Sequence, residues 1–171
     1  MEFLIEKAVT GDHDILAGVI REVWLQMERK EWFVADDSKA ICQVLKEGRG
    51  LGYKAFEKES KALAGVFIAV LPGKGKENLG RDIGLADEEL EKVAHMETIA
   101  ILPQYRGNGL QHTMMQAAEE ELKSRGYKYF MCTIHPENIY SEKNAVKQGY
   151  EVVLTKEKYG GYVRDILLKR R

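Results

Sequence analysis

The spacing of apolar positions changes several times along this chain, and each change marks an element. Residues 3–9 alternate weakly and predict a first strand. Ile15, Leu16, Val19, Ile20, Val23, Trp24 and Met27 then recur at helical spacing, which predicts a helix over about 13–29 with one buried face. Trp24 continues that stripe and reads as core. Thr10 or Asp12 is placed to cap this helix, and Asp36 or Asp37 opens a second one that ends near Glu47. Two apolar runs, 51–58 and 62–71, flank Glu59-Ser60-Lys61 and predict a strand pair with a tight turn. Leu71-Pro72-Gly73 ends the second of them.

The stretch 77–92 has no clean period; a short helix from Asp87 and a loop with one turn are both open. Beyond it the pattern sharpens. Ala94 to Ile101 predicts a strand, Pro103 to Gly109 a turn, and Leu110 to about Arg125 a helix stopped by Gly126. Tyr127 to Ile134 predicts the next strand, and a helix after His135-Pro136-Glu137-Asn138 runs to Gln148, stopped by Gly149. Residues 150–157 and 162–169 make a final strand pair around Tyr159-Gly160-Gly161. The order is that of a mixed α/β sheet. No linker or repeat interrupts it, so a single domain over 1–171 is expected.

Composition narrows the class. The chain has 171 residues, 44% apolar and 31% charged, with 26 basic and 27 acidic side chains and a formal net charge of -1. That balance supplies no positive field for bulk nucleic-acid binding. The basic cluster Lys74, Lys76 and Arg81 reads as solvated surface, with an anionic ligand as the alternative. Cys42 and Cys132 read as buried thiols in a reducing compartment, Cys132 as core rather than an acyl carrier. The four histidines show no metal-ligand spacing. No signal peptide or membrane-length apolar run is visible, so a cytoplasmic protein away from membranes is expected.

The turn before the third long helix carries the strongest chemical signal. Gly107 and Gly109 flank Asn108 where the helix begins. The first amides of a helix lack internal partners, and with the helix dipole behind them they attract anions. Leu110 to Thr113 contains no acid, and Arg106 adds positive charge. A turn that only joins two elements is the alternative. No Gly-Lys-Ser/Thr follows a glycine at nucleotide-triphosphate spacing, and the third glycine of a dinucleotide fingerprint is replaced by His112.

Gln104-x-x-Gly107-x-Gly109, after a strand and Pro103 and before a helix, a strand, Pro136-x-Asn138, a helix and Gly149-Tyr150, resembles the acyl-CoA signature of the GCN5-related N-acetyltransferase (GNAT) superfamily. The resemblance covers essentially the whole chain and is specific over about 93–150; 72–92 looks like a local elaboration. It implies a mixed sheet of about seven strands with a splayed central pair and about four helices. It implies acetyl-CoA as co-substrate, with the amides of Tyr105, Arg106, Gly107, Asn108, Gly109 and Leu110 cradling the pyrophosphate after Gln104. The pantetheine arm would run along Ile99, Ala100 and Ile101, an amide near Ile99 would polarise the acetyl carbonyl, and Asn138 and Ser141 would contact the arm.

The reaction implied is direct transfer to an amine, which must first lose a proton. His95 and Glu97 share a strand face with Ile99 and Ile101, and in the family such positions often supply the base; here both stay open. Many members place a tyrosine seven residues after the asparagine to reprotonate the thiolate, but that position is Ala145, and Tyr140 lies about 140° away around the helix. Tyr105, Tyr159, Tyr162 or water would have to serve. A non-catalytic acyl-CoA-binding or sensor module is the rival reading. The amine, on a small molecule or peptide, is not legible: acids such as Asp36, Asp37, Asp87, Glu88 and Glu89 suit a cation, while Trp32 and Phe33 offer apolar surface. A homodimer is compatible with the sequence.

Overall fold

The computed structural model describes residues 1–158 and 160–171; Tyr159, expected in the final loop, lies outside the described residues. The strands are β1 (Phe3–Lys7), β2 (Gly50–Glu57), β3 (Leu63–Val70), β4 (Val93–Ile101), β5 (Tyr129–Ile134), β6 (Glu151–Lys158) and β7 (Tyr162–Arg170). The helices are α1 (His13–Gln26), α2 (Ser38–Lys46), the single turn α3 (Asp87–Leu90), α4 (Leu110–Ser124) and α5 (Ile139–Lys147). The strands form one seven-stranded sheet in the order β1-β2-β3-β4-β5-β7-β6. β4 and β5 are parallel, whereas β1–β2, β2–β3, β5–β7 and β6–β7 are antiparallel, so the sheet is mixed as expected. No helix among the described residues is long and apolar enough to cross a membrane. By contacts the chain divides into two compact units, residues 1–70 with 97–118 and residues 71–96 with 119–171.

In the first unit α1 and α2 bury one face each. Leu16, Val19, Ile20 and Val23 of α1 and Ile41 of α2 close on Val66, Ile68, Ala100 and Leu102. α1 stops three residues earlier than its apolar stripe suggests. Met27 turns extended, and the Lys30 ammonium donates to the carbonyl oxygens of Leu25 (3.2 Å) and Met27 (2.9 Å), satisfying groups the helix leaves open. Asp12 precedes α1 but does not cap it. Its carboxylate accepts the Val9 amide at 2.8 Å and pairs with Lys54 at 3.0 Å, which holds its pKa below the ordinary value, the Val9 amide contributing most. Asp37 does cap α2, accepting the Ala40 amide at 2.8 Å. The β2–β3 turn is closed by Glu57, whose carboxylate accepts the amides of Glu59 (3.1 Å) and Ser60 (2.7 Å).

In the second unit Met131, Ile166 and Leu168 pack with Val93 and Leu79. In the stretch without a period, 77–92, the short helix expected from Asp87 forms as α3, and the rest is held by side chains. Asn78 is buried, and its amide nitrogen donates to the carbonyls of Gly73 (2.6 Å) and Leu90 (3.0 Å) while its oxygen accepts the Gly80 amide (2.8 Å). Asp82 then receives Lys156 (2.5 Å) and Lys158 (2.9 Å) of β6. Lys74, Lys76 and Arg81 are exposed, and the Arg81 guanidinium donates to the carbonyls of Lys74 and Gly75 in its own loop.

The last turns of α4 are fixed in the same unit by a buried carboxylate. Glu119 accepts the Tyr150 hydroxyl at 2.9 Å and the Lys169 ammonium at 3.1 Å. Tyr150 is 1% exposed, so the aromatic after Gly149 is core. Replacing Tyr150 with phenylalanine deprives Glu119 of one donor, and the expected loss is about 1–2 kcal/mol. It is read as a lower urea midpoint by near-ultraviolet circular dichroism; an unchanged midpoint would mean that Lys169 alone satisfies Glu119.

Candidate functional site

The glycine turn is built from Pro103 onward. Pro103–Tyr105 forms one 3-10 turn, in which the Tyr105 amide donates to Leu102 O (2.9 Å) and the Arg106 amide to Pro103 O (3.3 Å). Gly107 and Gly109 then take φ values of 83° and 71°, in the left-handed region that glycine enters without strain. The Asn108 side-chain amide donates to Tyr105 O at 2.9 Å and closes the turn. α4 follows, with the Thr113 amide and hydroxyl both donating to Gly109 O at 3.0 Å.

Among the described residues, the amides of Gly107, Asn108, Gly109, Leu110, Gln111 and His112 meet no acceptor. No acid lies in the first turn of α4. Of the run Tyr105–Leu110 expected to cradle a pyrophosphate, the amides of Tyr105 and Arg106 are bonded within the 3-10 turn, and those of Gly107 to Leu110 are open, continued by Gln111 and His112. A proline at the first position of a short turn is the signal for this bonding, because the second and third amides after it close i to i+3 bonds. Gln104 and Arg106 keep exposed side chains.

β4 separates two environments by alternation. Met96, Thr98 and Ala100 are buried, whereas Glu97 is exposed and Ile99 and Ile101 are half-buried. Ala100 belongs to the α1–α2 core, so it offers a ligand only its backbone. Gly65 of β3 lets β4 come close: a Cβ there would stand 2.6 Å from Ile101 Cδ1 and 3.0 Å from Ala100 O. The parallel ladder to β5 covers Val93–Tyr129, Ala94–Phe130 and His95–Met131, and β4 continues past it to Ile101.

The two candidate bases differ sharply. His95 is 5% exposed, and its Nε2 accepts the Leu79 amide at 3.0 Å. That lone pair is not available to take a proton from an amine. Burial drives the pKa of His95 down to about 4, against the raising influence of Glu77 and Asp82. The geometry makes His95 an anchor for the 71–92 segment, and Glu97 presents the exposed carboxylate. On α5, Asn138 caps the helix, its side-chain oxygen accepting the Ser141 amide at 3.3 Å. Ala145 is buried, with 2% exposure. Tyr140 is exposed, Tyr162 lies under the Arg164 guanidinium, and Tyr105 packs edge-on against Phe3. Cys132 is buried and neither cysteine forms a disulfide. Two features were not singled out from the sequence: a hydrogen bond from Thr98 to Asp36, and the carboxyl of Glu142, which burial first and then the neighbouring Asp165 push above the ordinary carboxylate range.

The neutral state of His95 has a consequence for acid stability. An unfolded histidine binds a proton near pH 6.5, and the folded one not until about 4. The unfolded state therefore binds more protons in that window, so the stabilisation is complete above pH 6.5 and is lost as pH falls towards 4. The shift corresponds to about 3 kcal/mol. His95→Gln keeps an acceptor for Leu79 but cannot titrate; its unfolding free energy should fall by about 3 kcal/mol less than wild type between pH 7 and 4. Parallel curves for the two proteins would refute the buried neutral histidine.

Residues 17–150 match the family described as "Acetyltransferase (GNAT) family". No curated protein matches the chain in sequence. Among solved structures, a GNAT-family acetyltransferase from Streptococcus pneumoniae superimposes with a TM-score of 0.74 at 16% identity, covering 99% of this chain and 100% of the other. NAA60 from Arabidopsis thaliana, solved with acetyl-CoA, gives 0.77 at 10% identity, covering 99% and 98%. The protein yncA from Salmonella typhimurium, solved with its cofactor acetyl-CoA, gives 0.71 at 13% identity, covering 99% and 94%. These likenesses bear on the fold, and the sequence match decides the family: the chain belongs to the GNAT family of acetyltransferases, whose chemistry is transfer of an acetyl group from acetyl-CoA to an amine.

Proposed function

We propose that this chain is an acetyl-CoA-dependent N-acetyltransferase that works as one domain, with the run of unpartnered amides at 107–112 as its pyrophosphate site. That run is the observation that carries the reading. Six donors in a row, two left-handed glycines and no acid in the first turn of α4 suit a polyanion. Structures of the same fold from Arabidopsis and Salmonella were solved with acetyl-CoA, which supports the same co-substrate here. Arg106 adds charge beside the amides. The backbone of Ile99–Ile101 pairs with the pantetheine arm, an amide near Ile99 polarises the acetyl carbonyl, and Asn138 and Ser141 hold the arm from the start of α5. Acetyl-CoA supplies the activated acyl group.

Glu97 takes the proton of the acceptor amine, directly or through water. It is the exposed member of the pair of candidates on β4, and His95 supports the neighbouring segment. The thiolate leaves with water as its acid, because a thiol's pKa is low enough for departure with little help. The buried Ala145 favours one other reading, a module that binds acetyl-CoA without turning it over.

Release of free CoA from acetyl-CoA, followed with a thiol reagent across a panel of primary amines, separates the two. Amine-dependent release supports transfer; tight binding with no release with any amine supports the binding module. Glu97→Gln should lower kcat by about tenfold or more while leaving acetyl-CoA affinity within about twofold. Gly109→Val forces a β-branched residue into the left-handed region and should weaken acetyl-CoA binding by about tenfold, measured calorimetrically. Unchanged affinity in that variant would remove the cradle from the glycine turn.

A further inference from the structure

The connection between α1 and α2 brings one carboxylate onto β4. Thr98 Oγ1 donates to Asp36 Oδ2 at 2.8 Å, a bond between residues 62 apart in sequence. Thr98 is 4% exposed and Asp36 is half-buried. Among the described residues no lysine, arginine or histidine reaches either oxygen of Asp36. The charge that acts on it is Asp37, itself negative and turned toward the Ala40 amide as the cap of α2. Burial first, and then Asp37, push the pKa of Asp36 above its ordinary value, while Thr98 works against them. A carboxylate drawn out of water with one neutral donor and no cation is destabilising unless something else compensates it. Elsewhere in the same unit the chain does provide the cation, as Lys54 does for Asp12.

Thr98 follows Glu97, and consecutive side chains of a strand project to opposite faces. Asp36 and Glu97 therefore flank β4 instead of meeting at one point. The nitrogen that attacks an acetyl group must be neutral, and it ends as an uncharged amide. A lasting counter-ion is of use only to a positive charge that survives the reaction.

We propose that Asp36 is a specificity-determining residue that pairs with a second cationic group on the acceptor, so that the acceptor is a diamine, a polyamine or a basic peptide. The assignment rests on the transferase reading above. Asp36→Asn keeps the bond from Thr98 and leaves the cap of α2 to Asp37, and removes only the charge.

The probes are n-butylamine, 1,4-diaminobutane and dilysine amide. With wild type, the two dications should have KM values about tenfold or more below that of n-butylamine. In Asp36→Asn that advantage should vanish, with kcat for n-butylamine and KM for acetyl-CoA unchanged. The carboxyl carbon signal of Asp36 at pH 7, in protein saturated with CoA, should move with either dication and not with n-butylamine. Retention of the dication preference in Asp36→Asn overturns the proposal, and so does an Asp36 signal that ignores both dications. A signal that responds while no free CoA is ever released would instead overturn the transferase reading and leave the cation site standing.

Discussion

A backbone N–H that leaves water needs an acceptor, and a run of them is tolerated only at a helix start that faces solvent or a ligand. The architecture around α4 follows from that constraint. Pro103 starts a turn that uses up two amides, two left-handed glycines reverse the chain without using any, and the helix opens with none of its own acids to fill the gap. The result is a concentration of donors on a short length of chain. The buried pairing of Glu119 with Tyr150 and Lys169 belongs to the same helix and gives its far end a fixed seat.

β4 meets a second requirement by alternation alone. Ala100 completes the core beneath α1 and α2, while Glu97 stays exposed and Ile99 and Ile101 half-buried. Gly65 is the concession that β3 makes to that strand, since any side chain there would press on Ala100 and Ile101. Neighbouring residues of β4 thus present their side chains without competing for the same space.

Most elements were legible because burial has a period. The stripe of α1, the alternation of β4 and the stops at Gly126 and Gly149 all leave a repeating trace in the sequence. The glycine turn was legible for a different reason, as residue types that only one backbone conformation explains. What was not legible has no period. Asn78 closes its loop by three bonds to backbone atoms, Leu79 reaches His95 from 16 residues away, and Asp36 reaches Thr98 from 62. Such bonds depend on where the chain has already been carried by the periodic elements. That the open amides begin at Gly107 has the same origin, because the 3-10 bonding that consumes the amides of Tyr105 and Arg106 is set by local geometry and not by composition.

β6 is the last strand of the sheet, and one of its edges has no neighbour among the described strands. Such an edge is a template for pairing with another chain. Val152 and Val153 are about two-fifths exposed on it, which adds apolar surface to the hazard. Four of its eight residues, Glu151, Lys156, Glu157 and Lys158, are charged. Lys156 and Lys158, which fasten the 71–92 segment through Asp82, are therefore also the gatekeepers of the exposed edge: the two lysines that order an insertion within the fold also discourage the fold from stacking on itself.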